Sequence, residues 1–251
     1  MSDSIKRFSN RVENYVKYRP DYPREIVAFL SENCGLIQDS IIADIGCGTG
    51  ISTRMFLENG NHVLGVEPNV AMRDAAIEYL AAFPLFQPTD GTSDATTLPN
   101  ASVDFVVAAQ AFHWFDPDRA RSEFCRILRP GGHIVLIWNE RQLDTTPFLI
   151  DYEAFLAKYG SDYAIVRHEN IAATELTDFF QKDYGSVTFQ NVQVFDFDGL
   201  RGRVLSASYM PNETDAIYEE MIDELRITFA KHAENGRIKV FYDTNVYFSS
   251  V

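Results

Sequence analysis

Cysteine is scarce in this chain. Cys34, Cys47 and Cys125 are the only three in 251 residues, and they lie far apart. None stands in a C-x-x-C pair, so neither a disulfide framework nor a metal site is expected, and the thiols read as reduced. Cys47 falls inside a glycine-rich turn, where a small residue that fits accounts for it. Basic residues are also few: 22 Lys and Arg face 36 Asp and Glu, for a formal charge of −14. Nucleic-acid binding needs clustered cations, so no nucleic-acid partner is expected. A small anionic ligand remains open, because it needs only a local positive pocket. Arg19, Arg201 and Arg203 are the candidate cations. No apolar run approaches the ~20 residues of a membrane span, so no membrane partner is expected. The opening Met1-Ser2-Asp3-Ser4 has no apolar signal segment, which suggests a cytoplasmic protein. No G-x-S-x-G occurs, so no nucleophilic triad is sought. Repeats, linkers and low-complexity tracts are missing too, and the length suits one α/β domain over residues 1–251.

What is present centres on Ile41-Ile42-Ala43-Asp44-Ile45-Gly46-Cys47-Gly48-Thr49-Gly50. The apolar, β-branched run reads as a buried strand. Three alternate glycines follow, and Ile51 to Leu57 then reads as helix. Such a turn brings backbone N–H groups and a helix N-terminus to a ligand. Glycine serves where a side chain would block that approach or where φ is positive. The spacing is G-x-G-x-G, not the G-x-G-x-x-G of nicotinamide dehydrogenases. His62 to Glu67 reads as the next strand and ends in a carboxylate 21 residues after Gly46. An acidic residue at about that distance holds the ribose hydroxyls in nucleotide-binding βαβ units.

The remaining chain reads in order. A helix covers Arg24 to Asn33, and Asn69 caps a helix that runs to Leu80. A short third strand spans Leu85 to Pro88, and a fourth, buried strand spans Val103 to Gln110. Asp116-Pro117 starts a helix over Asp118 to Leu128. Arg129-Pro130-Gly131-Gly132 is a tight connection to a fifth strand, His133 to Trp138. Helical, aromatic sequence over about 144–184 reads as an inserted cap above the site. Val187 to Phe197 is a strand, Ile217 to Phe229 a helix, and Ile238 to Ser250 the last strand.

Strand, D-I-G-C-G-T-G, helix, strand and E-P-N together resemble the class I S-adenosylmethionine-dependent methyltransferases, from about Ile41 to Glu140. The resemblance implies a Rossmann-like, seven-stranded, mostly parallel sheet with helices on both faces and a small helical cap. It also implies that the last strand inserts antiparallel between the fifth and sixth. S-adenosylmethionine is the implied cofactor, with Asp44, Gly46, Gly48, Gly50 and Glu67 around it. Met72, in the first turn after Asn69, faces either the ligand or the core. Tyr15, Tyr18 and Arg19 lie in a stretch similar to Y-x-x-x-R-P-x-Y-P. There residues 1–23 would fold over the site as a lid, with Arg19 at the cofactor carboxylate and the tyrosines in the acceptor pocket. A packing layer on the sheet edge is the alternative. The loop D-A-x-x-L-P implies that Asp94 and Ala95 read adenine, though Asp94 also suits a turn.

Gln110 ends the fourth strand, where ligands of open α/β sheets gather, and counts among the cofactor-binding residues. Gln110-Ala111-Phe112-His113-Trp114-Phe115 is similar to the trans-aconitate methyltransferase branch, which implies a small carboxylate as acceptor. Phe112, Trp114 and Tyr209 are the expected pocket walls. His113 is the catalytic candidate, as a base or a positioning group. A carboxylate is already ionised and needs no base, whereas a hydroxyl or carbon acid does. Rival readings keep the cofactor but methylate a hydroxyl or carbon, or bind it without catalysis. A nicotinamide dehydrogenase is the rival from outside this class.

Overall fold

The computed structural model describes residues 17–161, 163, 173–207 and 209–251. Seven strands form one sheet: β1 (Ile41–Ile45), β2 (His62–Val66), β3 (Phe86–Thr89), β4 (Val103–Ala109), β5 (Leu128–Arg141), β6 (Gly185–Phe195) and β7 (Ile238–Ser250). Eight α-helices join them among the described residues: α1 (Glu25–Cys34), α2 (Ile51–Glu58), α3 (Val70–Tyr79), α4 (Pro117–Ile127), α5 (Pro147–Tyr159), α6 (Ala173–Phe180), α7 (Phe197–Leu205) and α8 (Tyr218–His232). The strand order is β3-β2-β1-β4-β5-β7-β6. β1 pairs in parallel with β2 and β4, and β7 lies antiparallel between β5 and β6. The Rossmann-like sheet and its inserted last strand are therefore as expected.

Alternation along the central strands builds two cores. Ile42, Val63, Phe105, Val107 and Ile137 face one side and pack with Ile26, Leu30 and Phe56 of α1 and α2. Ala43, Ile45, Leu64, Val106 and Leu136 face the other side, with Phe124 of α4 and Phe179 of α6. A parallel sheet covered on both faces needs this near-continuous apolar character. Polar caps set the helix starts. Asn69 accepts from the backbone of Ala71 and Met72, and Asp116 accepts from Arg119. Each removes an orphan N–H, a contribution of about 1 kcal/mol.

Two expectations change. The fifth strand is longer than read, because Leu128 pairs with Val103 and His133 with Phe105 across the tight connection. Gly132 allows this: a Cβ there would sit 2.8 Å from the Asp104 carbonyl oxygen. The helices expected as one cap over 144–184 also split. α5 packs with α7, α8 and the near ends of β6 and β7, around Phe155, Leu200, Leu225 and Tyr242. α6 instead closes the sheet face over Phe112 and Phe124. Sequence periodicity reports that a helix has an apolar stripe, not which surface the stripe meets. α7 itself went unread, because two glycines in Phe197–Leu205 dilute its helical pattern. Asp196 caps it by accepting from Gly199 N–H at 2.8 Å.

Candidate active site

The order reverses between β1 and β4, and a crevice of about 270 Å³ opens outside the carboxyl ends of the strands there. This is where open α/β sheets bind ligands. The glycine turn forms its floor. Gly46, Gly48 and Gly50 have φ of +69°, +56° and +87°. At Gly46 a Cβ would meet Ala111 Cβ at 2.8 Å, so β1 and β4 close up only around glycine. Gly46 N–H donates to Val66 O at 2.8 Å, which ties the turn to the end of β2.

Glu67 leaves that end. It is 8 % exposed and still lines the crevice. Its Oε2 accepts from Gly48 N–H at 3.0 Å and its Oε1 from Asn69 N–H at 2.8 Å. Burial pushes its pKa up, against the pull of those two N–H groups and of Arg73. Each oxygen keeps a lone pair for a further donor.

The other sequence candidates fall into three groups. Gly46, Gly48, Glu67, Met72, Gln110, Arg19, His113, Trp114 and Tyr209 all line the crevice. Gln110 holds a left-handed backbone (φ +53°), a conformation that few non-glycine residues adopt. Its Nε2 donates to Asn139 O at 3.0 Å, while its buried Oε1 meets no donor among the described residues. His113 lies 4.6 Å from the Trp114 ring and 5.6 Å from that of Trp138, centroid to centroid.

A second group is structural. Asp44 is fully buried and does not line the crevice. Its Oδ2 accepts from Ser52 and Thr53 at 2.7 and 2.6 Å, which anchors α2 to β1. Burial raises its pKa to about 6, against those two hydroxyls. Gly50 is not in the lining either: a Cβ there would sit 2.6 Å from Leu80 Cδ1. Phe112 is core, 4.6 Å from Phe179. Asp94 accepts from Thr92 Oγ1 at 2.7 Å and pairs with Arg119 at 2.6 Å. Ala95 N–H is spent on Thr92 O, so the backbone donor expected for adenine is engaged. Gly91, Thr92 and Ser93 line the crevice in place of Asp94 and Ala95. Arg201 is bound to Glu213 and Tyr218 outside it.

Tyr15 lies outside the described residues, as do residues 1–16 of the expected lid. Residues 17–23 reach the crevice. Pro20 and Tyr22 line it, and Tyr18 packs on Gly202 of α7. Three side-chain amides hold this strap: Gln193 donates to Tyr18 O, and Asn139 and Asn191 to Asp21 O.

Sequence reasoning missed Trp138, Asn139 and Arg141 at the end of β5, and Tyr242 on β7, all of them lining residues. The run I-W-N-E-R held the only local signal, polar residues closing an apolar strand. Arg141 is buried, pairs with Glu153 and donates to Tyr163 Oη at 2.7 Å. Glu67 follows β2 on one side of the crevice, and Arg19, Arg141 and Arg203 line it on the side of β5 and β7, where Arg19 and Arg203 both donate to Ser206.

The crevice thus brings together the glycine turn and the acidic residue that follows β2. Residues 43–136 match the family described as a methyltransferase domain. An uncharacterized methyltransferase-like protein of Schizosaccharomyces pombe is 27% identical over 98% of this chain and 95% of its own length. An uncharacterized methyltransferase of Mycobacterium tuberculosis is 39% identical over 139 residues, about half of each chain (55% and 54%). Among solved structures, a candidate type II methyltransferase of Anaeromyxobacter dehalogenans superposes with a TM-score of 0.65 at 21% identity, over 93% of this chain and 98% of that one. A geranyl diphosphate C-methyltransferase of Streptomyces coelicolor, solved with S-adenosyl-L-homocysteine, gives 0.50 at 17% identity, over 90% and 76%. These two share the fold. The chain is a methyltransferase that depends on S-adenosylmethionine. Among the described residues no helix is long and apolar enough to cross a membrane.

Proposed function

We propose that the chain methylates a carboxylate oxygen of a small molecule. One observation carries this reading: in a chain of charge −14, arginines line the crevice on the side of β5 and β7. The bound cofactor supplies an electrophilic methyl group: a C–O bond forms as the C–S bond breaks, leaving a methyl ester and S-adenosylhomocysteine, with no proton to move. Glu67 accepts the two ribose hydroxyls on its remaining lone pairs. The turn Gly91–Ser93 meets the adenine in place of Asp94. Gln110 Oε1 accepts from the ammonium of the methionine moiety, and Arg19 pairs with its carboxylate. Trp114, Trp138 and Tyr209 wall the acceptor side and exclude water. Holding both partners in attack geometry contributes ~7–11 kcal/mol to lowering the barrier.

Methylation at a hydroxyl or carbon is the second reading, favoured by His113 at the crevice wall. The Streptomyces enzyme, by its name, methylates carbon. Small carboxylic acids incubated with methyl-labelled cofactor separate the two. A labelled product that alkali hydrolyses is expected, and one that survives alkali refutes the ester reading. His113→Ala should then leave kcat within about tenfold of wild type, whereas loss of a general base costs ~10²–10⁴.

A further inference from the structure

The β5 and β7 side of the crevice holds a cation that no described carboxylate answers. Arg203 leaves the last turn of α7 and lines the crevice beside Tyr209 and Tyr242. Its partners among the described residues are neutral: Ser206 Oγ at 3.4 Å and the Tyr242 phenol. Tyr242 donates its own hydroxyl to Gln193 Oε1 at 2.9 Å, which leaves its oxygen to accept from the guanidinium. Arg203 Nε is buried and meets no acceptor among the described residues. The contrast with its neighbours is direct. Arg141 pairs with Glu153 and Arg201 with Glu213, but among the described residues no carboxylate lies within ion-pair distance of Arg203.

A guanidinium stays protonated at neutral pH, and burying it without a counter-ion is costly. The sulfonium of a bound cofactor would add a second positive charge, and Arg19 is the cation proposed for the cofactor's own carboxylate. An anion must therefore come from the acceptor. We propose that Arg203 binds the acceptor's carboxylate through its guanidinium and so selects acids over their amides and alcohols. This rests on reading the crevice as a methyl-transfer site. In the transfer, the carboxylate oxygen gains the C–O bond as the C–S bond breaks. The carboxylate loses its charge, so the pairing with Arg203 disappears and the ester is released.

The test is binding to the complex with S-adenosylhomocysteine, read by calorimetry. The probes are benzoate, phenylacetate and trans-cinnamate, each against its amide and methyl ester. At least one acid should bind more tightly than both partners. Arg203→Gln should erase that preference, a fall of about 10- to 100-fold for one charge-assisted contact, and leave S-adenosylhomocysteine affinity unchanged. Arg203→Lys should retain part of it. Tyr242→Phe keeps the ring but removes an acceptor of Arg203, and should cut the preference several-fold. That variant carries the test if Arg203→Gln does not fold. The proposal is overturned if no acid is preferred or if the preference survives in Arg203→Gln or Tyr242→Phe. Loss of S-adenosylhomocysteine binding in folded Arg203→Gln overturns it as well, since Arg203 would then serve the cofactor. Acid-selective binding with an alkali-stable methyl product would leave Arg203 in its role and remove only the ester reading.

Discussion

Glu67→Gln is isosteric, and the structure says it should nevertheless be worse than an ordinary carboxylate-to-amide change. Both carboxylate oxygens already accept one backbone N–H, from Gly48 at 3.0 Å and from Asn69 at 2.8 Å. A glutamine has only one acceptor oxygen. Whichever way its amide turns, its NH₂ points at one of those two N–H groups. The cost is an unsatisfied buried donor, about 1–3 kcal/mol. Relief works the other way, because burial raises the pKa of Glu67 and a neutral side chain avoids that desolvation. The two effects oppose each other, so the loss of unfolding stability should stay below the ~1–3 kcal/mol of the unsatisfied donor alone. Cofactor affinity has no such offset. One of the two ribose hydroxyls loses its acceptor and the other loses the charge that strengthened its bond, which together cost about 2–4 kcal/mol at 1.5–3 kcal/mol per charge-assisted bond. Calorimetric titration with S-adenosylhomocysteine, alongside urea unfolding, measures both. A dissociation constant within threefold of wild type would refute the role of Glu67. So would a loss of affinity matched by an equal loss of stability, because the effect would then be structural.

Asp44→Asn tests the buried carboxyl beneath the turn. Its folded pKa of about 6 lies above the ordinary carboxyl value of 3.8, so the native state binds the extra proton between these limits. Stability contributed by that proton is present at low pH and is lost as pH rises through this window, by about 3 kcal/mol at 1.36 kcal/mol per unit. Urea unfolding from pH 4 to 7 should show a wild-type decline that Asp44→Asn lacks, and parallel curves would count against it. Gly202→Ala tests the strap, since the new Cβ would sit 2.0 Å from the Tyr18 ring. Alanine favours the α7 helix by up to about 1 kcal/mol, so the fold should persist. Amide exchange over residues 17–23 should accelerate and cofactor affinity should fall; unchanged exchange would show that the Tyr18 contact does not hold the strap.

Features under short-range control were legible along the chain. Ile41–Ile45 and His62–Val66 announce themselves by β-branched, apolar runs, and the intervening glycines by positions where a Cβ is excluded. Glu67 was legible because one βαβ unit fixes its distance from Gly46, and Asn69 and Asp116 because a cap is local. Resemblance carried the placement of β7. Which side chains meet across long separations was set by packing. Arg141 and Arg203 reach the crevice because β5 ends beside β4 and α7 packs over β7, and neither fact is written near those residues. Asp94 illustrates the same limit: its motif is intact, but Arg119 on α4 takes the carboxylate and Thr92 takes the backbone of Ala95. Asp44 carries a motif position yet lies under the turn, because burial depends on what packs above a strand end. Local sterics act between neighbours in the chain and so leave a pattern there. Convergence of strand ends and helix faces depends on topology, and its signal is spread over residues far apart in sequence.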